Sequence, residues 1–246
     1  MNKAKFFASA LTGMMLVGIS HSVLSHTSLN VAKATEGTRI INNMMIGHSC
    51  NETSKTFGTS VVFPDGVDST ILVDGQPHEG TILDFLANYG NNAQLILDRA
   101  SFDQMDEKVV NGNVVGYWAG GGPGMPNHMN AMTSIRQTAA SIEPTSCAIE
   151  VKIKMAVADI CEITAVDGFT PDTVRFWTDN TLNTPYVTAG DTADNSPAFT
   201  IERNLETNPL PESCGETGSV VEVKASAAQM DRDMPIIWNG TQVWPQ

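Results

Sequence analysis

Positive charge is scarce in this chain: 14 Lys and Arg stand against 27 Asp and Glu, for a formal net charge of −13 over 246 residues. A surface of that sign repels a phosphate backbone and attracts cations, which argues against a nucleic-acid partner. Beyond residue 25 no apolar run approaches the roughly 20 residues that a spanning helix requires, so the remainder is expected to be soluble, without a membrane span. Catalytic signatures are missing too. There is no Gly-x-Ser-x-Gly elbow and no His-Glu-x-x-His helix, and the glycines Gly120 to Gly122 run into Pro-Gly-Met without the lysine of a phosphate loop. Hydrolase and nucleotide-dependent readings lose their usual supports, and the chain is expected not to be an enzyme. Cysteine is sparse: Cys50, Cys147, Cys161 and Cys214 include no Cys-x-x-Cys pair, which leaves neither a zinc ribbon nor a thioredoxin-type site supported. Two disulfides are expected if the protein is exported, and three pairings stay open.

What is present begins with a leader. Lys3 and Lys5 precede an apolar stretch from Phe6 to Ile19, and Val23 and Ser25 satisfy the small-residue pattern of a signal-peptidase site. Cleavage after Ser25 makes His26 the first residue of a periplasmic or extracellular protein, whereas a cut after Ser22 would start it at Val23. An α-amine and an imidazole on one residue can chelate a single ion, and nitrogen ligands of this kind suit Cu(II). A first-position histidine can equally be incidental. The leader carries no acidic residue, so its removal makes the remainder more acidic still.

Residues 26 onward read as short β-rich runs punctuated by Gly, Pro, Asn and Asp. Strands are predicted over Arg39–Ile46, Thr59–Phe63, Thr70–Val73, Gln94–Leu97, Lys108–Trp118, Ala148–Val157, Thr173–Trp177, Ala198–Glu202, Ser219–Lys224 and Pro235–Trp238. Asn111-Gly112, between valine pairs, marks a hairpin turn inside the fifth of these. One helix is predicted at Thr81–Tyr89, with Thr81 as its cap and Gly90 as its stop. The fold class is therefore an all-β, immunoglobulin-like sandwich with long loops and a short helix. Polar, Pro-containing sequence from Thr178 to Pro211 suggests a boundary, giving a signal peptide at 1–25, a copper-binding sandwich at 26–177 and a C-terminal β-rich elaboration at 178–246.

Several motifs follow one another in a particular order: His26, then Gly47-His48-Ser49-Cys50, then Phe63-Pro64-Asp65-Gly66, then Tyr117-Trp118-Ala119-Gly120-Gly121, and a strand running into Cys161. Over about residues 26 to 165 this succession resembles the YcnI-like family of exported copper-binding proteins. The chain departs from that pattern at His-Ser-Cys, where the family has His-Gly-Cys, and at Pro-Asp-Gly, where it has Pro-Glu-Gly. The resemblance implies a sandwich that holds one copper ion through an N-terminal histidine brace. By position, His26 forms the brace, Trp118 is the neighbouring indole, and Glu52 or His48 is a further ligand.

The segment Met125-Pro-Asn-His128-Met129-Asn-Ala-Met132 adds an imidazole and three thioethers, whose soft sulfur favours Cu(I). Each of these residues also has a plainer reading. Met129 and Met132 would serve as core residues of a following strand or helix, His128 as a solvated loop residue, His48 as a polar strand end beside a disulfide, and Glu52 as a single exposed acid. Asp191, Asp194 and Glu202 faintly suggest a calcium loop, but Ser196 stands where that loop needs glycine. Three functions are then in contention. The leading one is copper capture, storage or delivery, with another envelope copper protein as partner. An oxidative copper enzyme would require His48 or His128 as a second imidazole. The third is a metal-free surface sandwich.

Overall fold

The computed structural model describes residues 26–215 and 217–246. The leader and its cleavage site lie outside the described residues. The strands run β1 (Ser28–Leu29), β2 (Lys33–Thr35), β3 (Arg39–Ile46), β4 (Lys55–Val62), β5 (Ser69–Val73) and β6 (Gln76–Pro77). They continue with β7 (Ala93–Leu95), β8 (Gln104–Val110), β9 (Asn113–Pro126), β10 (Ala131–Thr138), β11 (Ala148–Lys154) and β12 (Ala156–Ile160). The last are β13 (Val174–Trp177), β14 (Ala198–Glu202) and β15 (Ser219–Ala225), then the helix α1 (Ala227–Asp233) and the hairpin β16 (Ile236–Trp238) and β17 (Thr241–Trp244).

These strands form a four-stranded sheet ordered β1-β3-β10-β7, a six-stranded sheet ordered β2-β14-β11-β15-β5-β6 and a five-stranded sheet ordered β13-β12-β4-β9-β8. Alternation sets the facing where one side is wet: along β10, Ala131, Thr133, Ile135 and Gln137 are buried while their neighbours are not. The main core lies where the three sheets meet, with Met44, Val61, Tyr117, Ile135, Val151, Phe199, Trp177 and Val223 among its members. The outer face of the five-stranded sheet is covered as well. There α1 and the terminal hairpin bring Met230, Met234, Ile236 and Trp244 onto Val62, Trp118, Ala158 and Phe176. With both faces covered, β12 loses its alternation and all five of its residues are buried.

The all-β sandwich with one short helix matches expectation, and the Asn111-Gly112 turn is present, both residues taking the positive φ (51° and 82°) that such a hairpin requires. Three expectations need correction. First, Thr81–Tyr89 is not a helix. A single 3-10 turn forms at Ile82–Asp84, and then Glu143 N–H donates to Phe85 O and Ala87 N–H to Ser141 O, so tertiary partners take the groups that a helix would have paired internally. The α-helix instead follows Ser226, whose hydroxyl accepts from Gln229 N–H. Second, the run Ala148–Val157 divides at Met155. β11 belongs to the six-stranded sheet and β12 to the five-stranded one, and the chain changes sheets at this fully buried residue. Third, residues 178–246 are not an elaboration. β14 and β15 flank β11 on either side, and Phe199, Ile201, Val221 and Val223 sit in the main core, so no boundary falls at residue 177. Both disulfides form, Cys50–Cys161 and Cys147–Cys214.

Candidate metal centre

β3 ends at Ile46, and the chain turns through Gly47 and His48 into Cys50, where the Cys50–Cys161 disulfide ties it to the residue after β12. Further bonds hold this loop. The Arg175 guanidinium donates to Cys50 O at 2.7 Å, Ser49 N–H donates to Asn127 Oδ1 at 3.1 Å, and the Ser49 and Ser54 hydroxyls lie 2.8 Å apart. His48 is therefore carried on an anchored segment. Its Nδ1 lies 2.7 Å from Ser49 O. A carbonyl can only accept, so Nδ1 carries a proton and Nε2 is the ring position left to offer a lone pair. That Nε2 is buried and has no hydrogen-bond partner.

His48 meets the edge of Trp177 with ring centroids 5.9 Å apart, and exposed His26 lies tilted against the same indole at 4.8 Å. Trp177 is the last residue of β13, and its Nε1–H donates to Asp159 Oδ2 at 2.7 Å. The Thr27 hydroxyl donates to that same oxygen at 2.5 Å, and the Thr59 hydroxyl donates to Oδ1 at 2.9 Å. Asp159 is 2 % exposed, and no Lys or Arg pairs with it among the described residues. Burial pushes its carboxyl above the usual carboxylate range, while the bonds from Thr27, Thr59 and Trp177 and the nearby His48 pull the other way.

The structure thus sets His26 and His48 each against the Trp177 indole and separates the other expected ligands from that indole. Trp118 is not the neighbouring indole. In the register of the five-stranded sheet Val157 pairs with Val61 and with Trp177, whereas Trp118 pairs with Ser60, one residue out of step and on the opposite face. It packs there against the residues under α1 and the terminal hairpin. Glu52 is exposed in a turn organised by Asn51 Oδ1, which accepts from Thr53 and Ser54 N–H. Among the described residues no group of three or more His, Cys, Asp or Glu converges as a ready metal site, so Glu52 is not gathered with the two histidines. His128 and Met129 are exposed in the turn closed by Met129 N–H to Pro126 O, a turn that reaches the His48 segment through Asn127. Met125 is core, packed with Ile46, Phe102, Ala119 and Ala131, and Met132 faces outward opposite Met45. Asp194 and Asp179 hold the ammonium groups of Lys154 and Lys224, in keeping with the rejection of a calcium loop.

Trp177, Asp159, Thr27 and Thr59 are the residues that sequence reasoning missed. One signal was available: Asp159 is a lone acid inside the otherwise apolar run Ala156–Ile160, and a carboxylate amid buried residues needs donors around it.

Chemically, the arrangement offers two imidazoles against one indole. One nitrogen lone pair is aimed by its own backbone bond, as metal-ligating histidines usually are. The donor set suits a borderline cation such as copper, and the orphaned Nε2 is the feature that fits a metal.

No protein-family model matches the chain, and no curated protein matches it. Among solved structures, one described as an uncharacterized protein from Nocardia farcinica with an immunoglobulin-like fold aligns with a TM-score of 0.40 at 13 % identity, covering 72 % of this chain and 97 % of that one.

Proposed function

We propose that this chain is exported, is cleaved before His26, and binds one copper ion for capture, storage or delivery in the cell envelope. The observation that carries the reading is that His26 and His48 both pack against Trp177, with His48 Nε2 buried and unpartnered. In the processed protein the α-amine and imidazole of His26 would hold the ion and His48 Nε2 would complete the set. Bound there, copper would gain an all-nitrogen environment suited to Cu(II). Two disulfides support an oxidising compartment, and the absence, among the described residues, of a helix long and apolar enough to cross a membrane agrees with an export route that releases the chain.

The test is a titration of protein beginning at His26 with Cu(II), followed by tryptophan emission and electron paramagnetic resonance. The expected result is one-to-one binding with nitrogen ligation, weakened by His48→Ala and by one added residue before His26. Binding that ignores both changes, or a native N-terminus other than His26, overturns the proposal.

The second imidazole also favours an alternative use of the same ligands, oxidative copper chemistry. Reductant-dependent oxygen consumption by the loaded protein would support it, and copper binding without such turnover counts against it.

A further inference from the structure

Asp159 is a buried carboxylate whose donors come from three separate parts of the chain. Thr59 sits directly across from it on β4, Trp177 is on β13, and Thr27 belongs to the segment that leads out of His26. Thr27 Oγ1 and Trp177 Nε1 both donate to one atom, Oδ2, at 2.5 and 2.7 Å. The residue after His26 and the indole that the His26 ring packs on are therefore referenced to a single oxygen. Burying a carboxylate is costly without full hydrogen bonding and a cationic partner. Among the described residues no Lys or Arg supplies that partner: Arg175, opposite Asp159 on β13, turns its guanidinium to Cys50 O. Ordinary core packing would be better served by a valine or an isoleucine here, as at Val157 and Ile160 of the same strand.

We infer that Asp159 is a positioning residue: it latches the N-terminal segment and the Trp177 indole into one unit, so that His26 is held on the indole that His48 also meets before any ion arrives. This rests on the copper reading for its purpose, though not for its existence. It gives the site what a flexible N-terminus lacks, because ordering a chain end at the moment of binding would cost affinity.

Asp159→Ala could fail to fold, so the test uses Thr27→Val, which keeps the shape of a buried side chain and removes one donor, with Thr27→Ser as the conservative rescue. In metal-free protein starting at His26, amide exchange over residues 27–30 is expected to speed up about tenfold in Thr27→Val, the size of one hydrogen bond to a charged group. Cu(II) affinity is expected to fall by a similar factor, with an altered paramagnetic resonance spectrum. Thr27→Ser should restore all of these. Faster exchange with unchanged copper affinity and spectrum overturns the positioning role, and unchanged exchange overturns the latch itself. If the unmodified protein binds no copper yet exchange still responds to Thr27→Val and recovers in Thr27→Ser, the latch stands and the copper reading fails.

Discussion

Replacing Trp177 by phenylalanine, alongside the same change at Trp118, distinguishes the two indoles by what each touches. At Trp177 the new ring keeps most of the packing but loses the Nε1–H that donates to Asp159 at 2.7 Å. A hydrogen bond to a buried charged group is worth about 1.5–3 kcal/mol, and Asp159 would keep two of its three donors, so a loss near 2 kcal/mol is expected. For a protein of this size that corresponds to a drop of about 4–8 °C in melting temperature. At Trp118 the loss is one of packing in the cluster with Ile236 and Trp244, and about 1–2 kcal/mol is expected. Stability alone would separate the two variants poorly. Copper-dependent quenching of tryptophan emission separates them well, because quenching should vanish in Trp177→Phe and persist in Trp118→Phe. The assay is a Cu(II) titration of both variants, beginning at His26, with thermal melts of the metal-free forms. The reverse pattern, with quenching lost in Trp118→Phe and retained in Trp177→Phe, would refute the register argument that puts Trp177 on the inner face.

Removing the Cys50–Cys161 disulfide by paired alanine substitution should cost about 4–5 kcal/mol, from the chain-entropy estimate for a loop of 111 residues, and urea denaturation would measure it. Lys108, its ammonium enclosed by Ser60 Oγ and the carbonyls of Asp233 and Met234, is pushed down to about 7 by burial, with the Asp233 charge acting the opposite way. The unfolded chain keeps that proton to about pH 10 while the folded one releases it near 7, so this group's contribution is complete at high pH and is lost as pH falls toward 7. Urea midpoints from pH 7 to 9 should therefore rise more in the parent than in Lys108→Met, and equal slopes would contradict the assignment. Truncation after Trp177 removes both neighbours of β11. The fragment 26–177 is expected to show no cooperative melt by circular dichroism, and a cooperative one would restore the boundary at that residue.

Much of the strand content was legible because it is local. Arg39–Ile46 and Ala198–Glu202 carry their limits in the alternation and in the turn residues that bound them, and Asn111-Gly112 announces its own geometry. The helix at Thr81 was misread for a physical reason: its apolar spacing suits a helix, but residues 141–143 offer the backbone of Phe85 and Ala87 better-placed partners. The Trp118 assignment failed over a shift of one residue in register, which reverses the face of every side chain on the strand and leaves no trace in composition. His26 and His48 stand out in the sequence because their chemistry is written in the residue types, whereas Trp177 reads like any core aromatic.

By itself the sequence determined the all-β class, the acidic surface, the number of disulfides and the two histidines, since charge, alternation and side-chain chemistry belong to residues or to near neighbours. Tertiary structure decided which cysteines pair, which indole lies beneath the histidines and that residues after Trp177 enter the core, Phe199, Ile201, Val221 and Val223 among them. It also decided that one buried aspartate joins Thr27, 132 positions away, to Trp177. Those outcomes depend on how three sheets close on one another, and that closure is set by the whole pattern of burial, which no short stretch of chain contains.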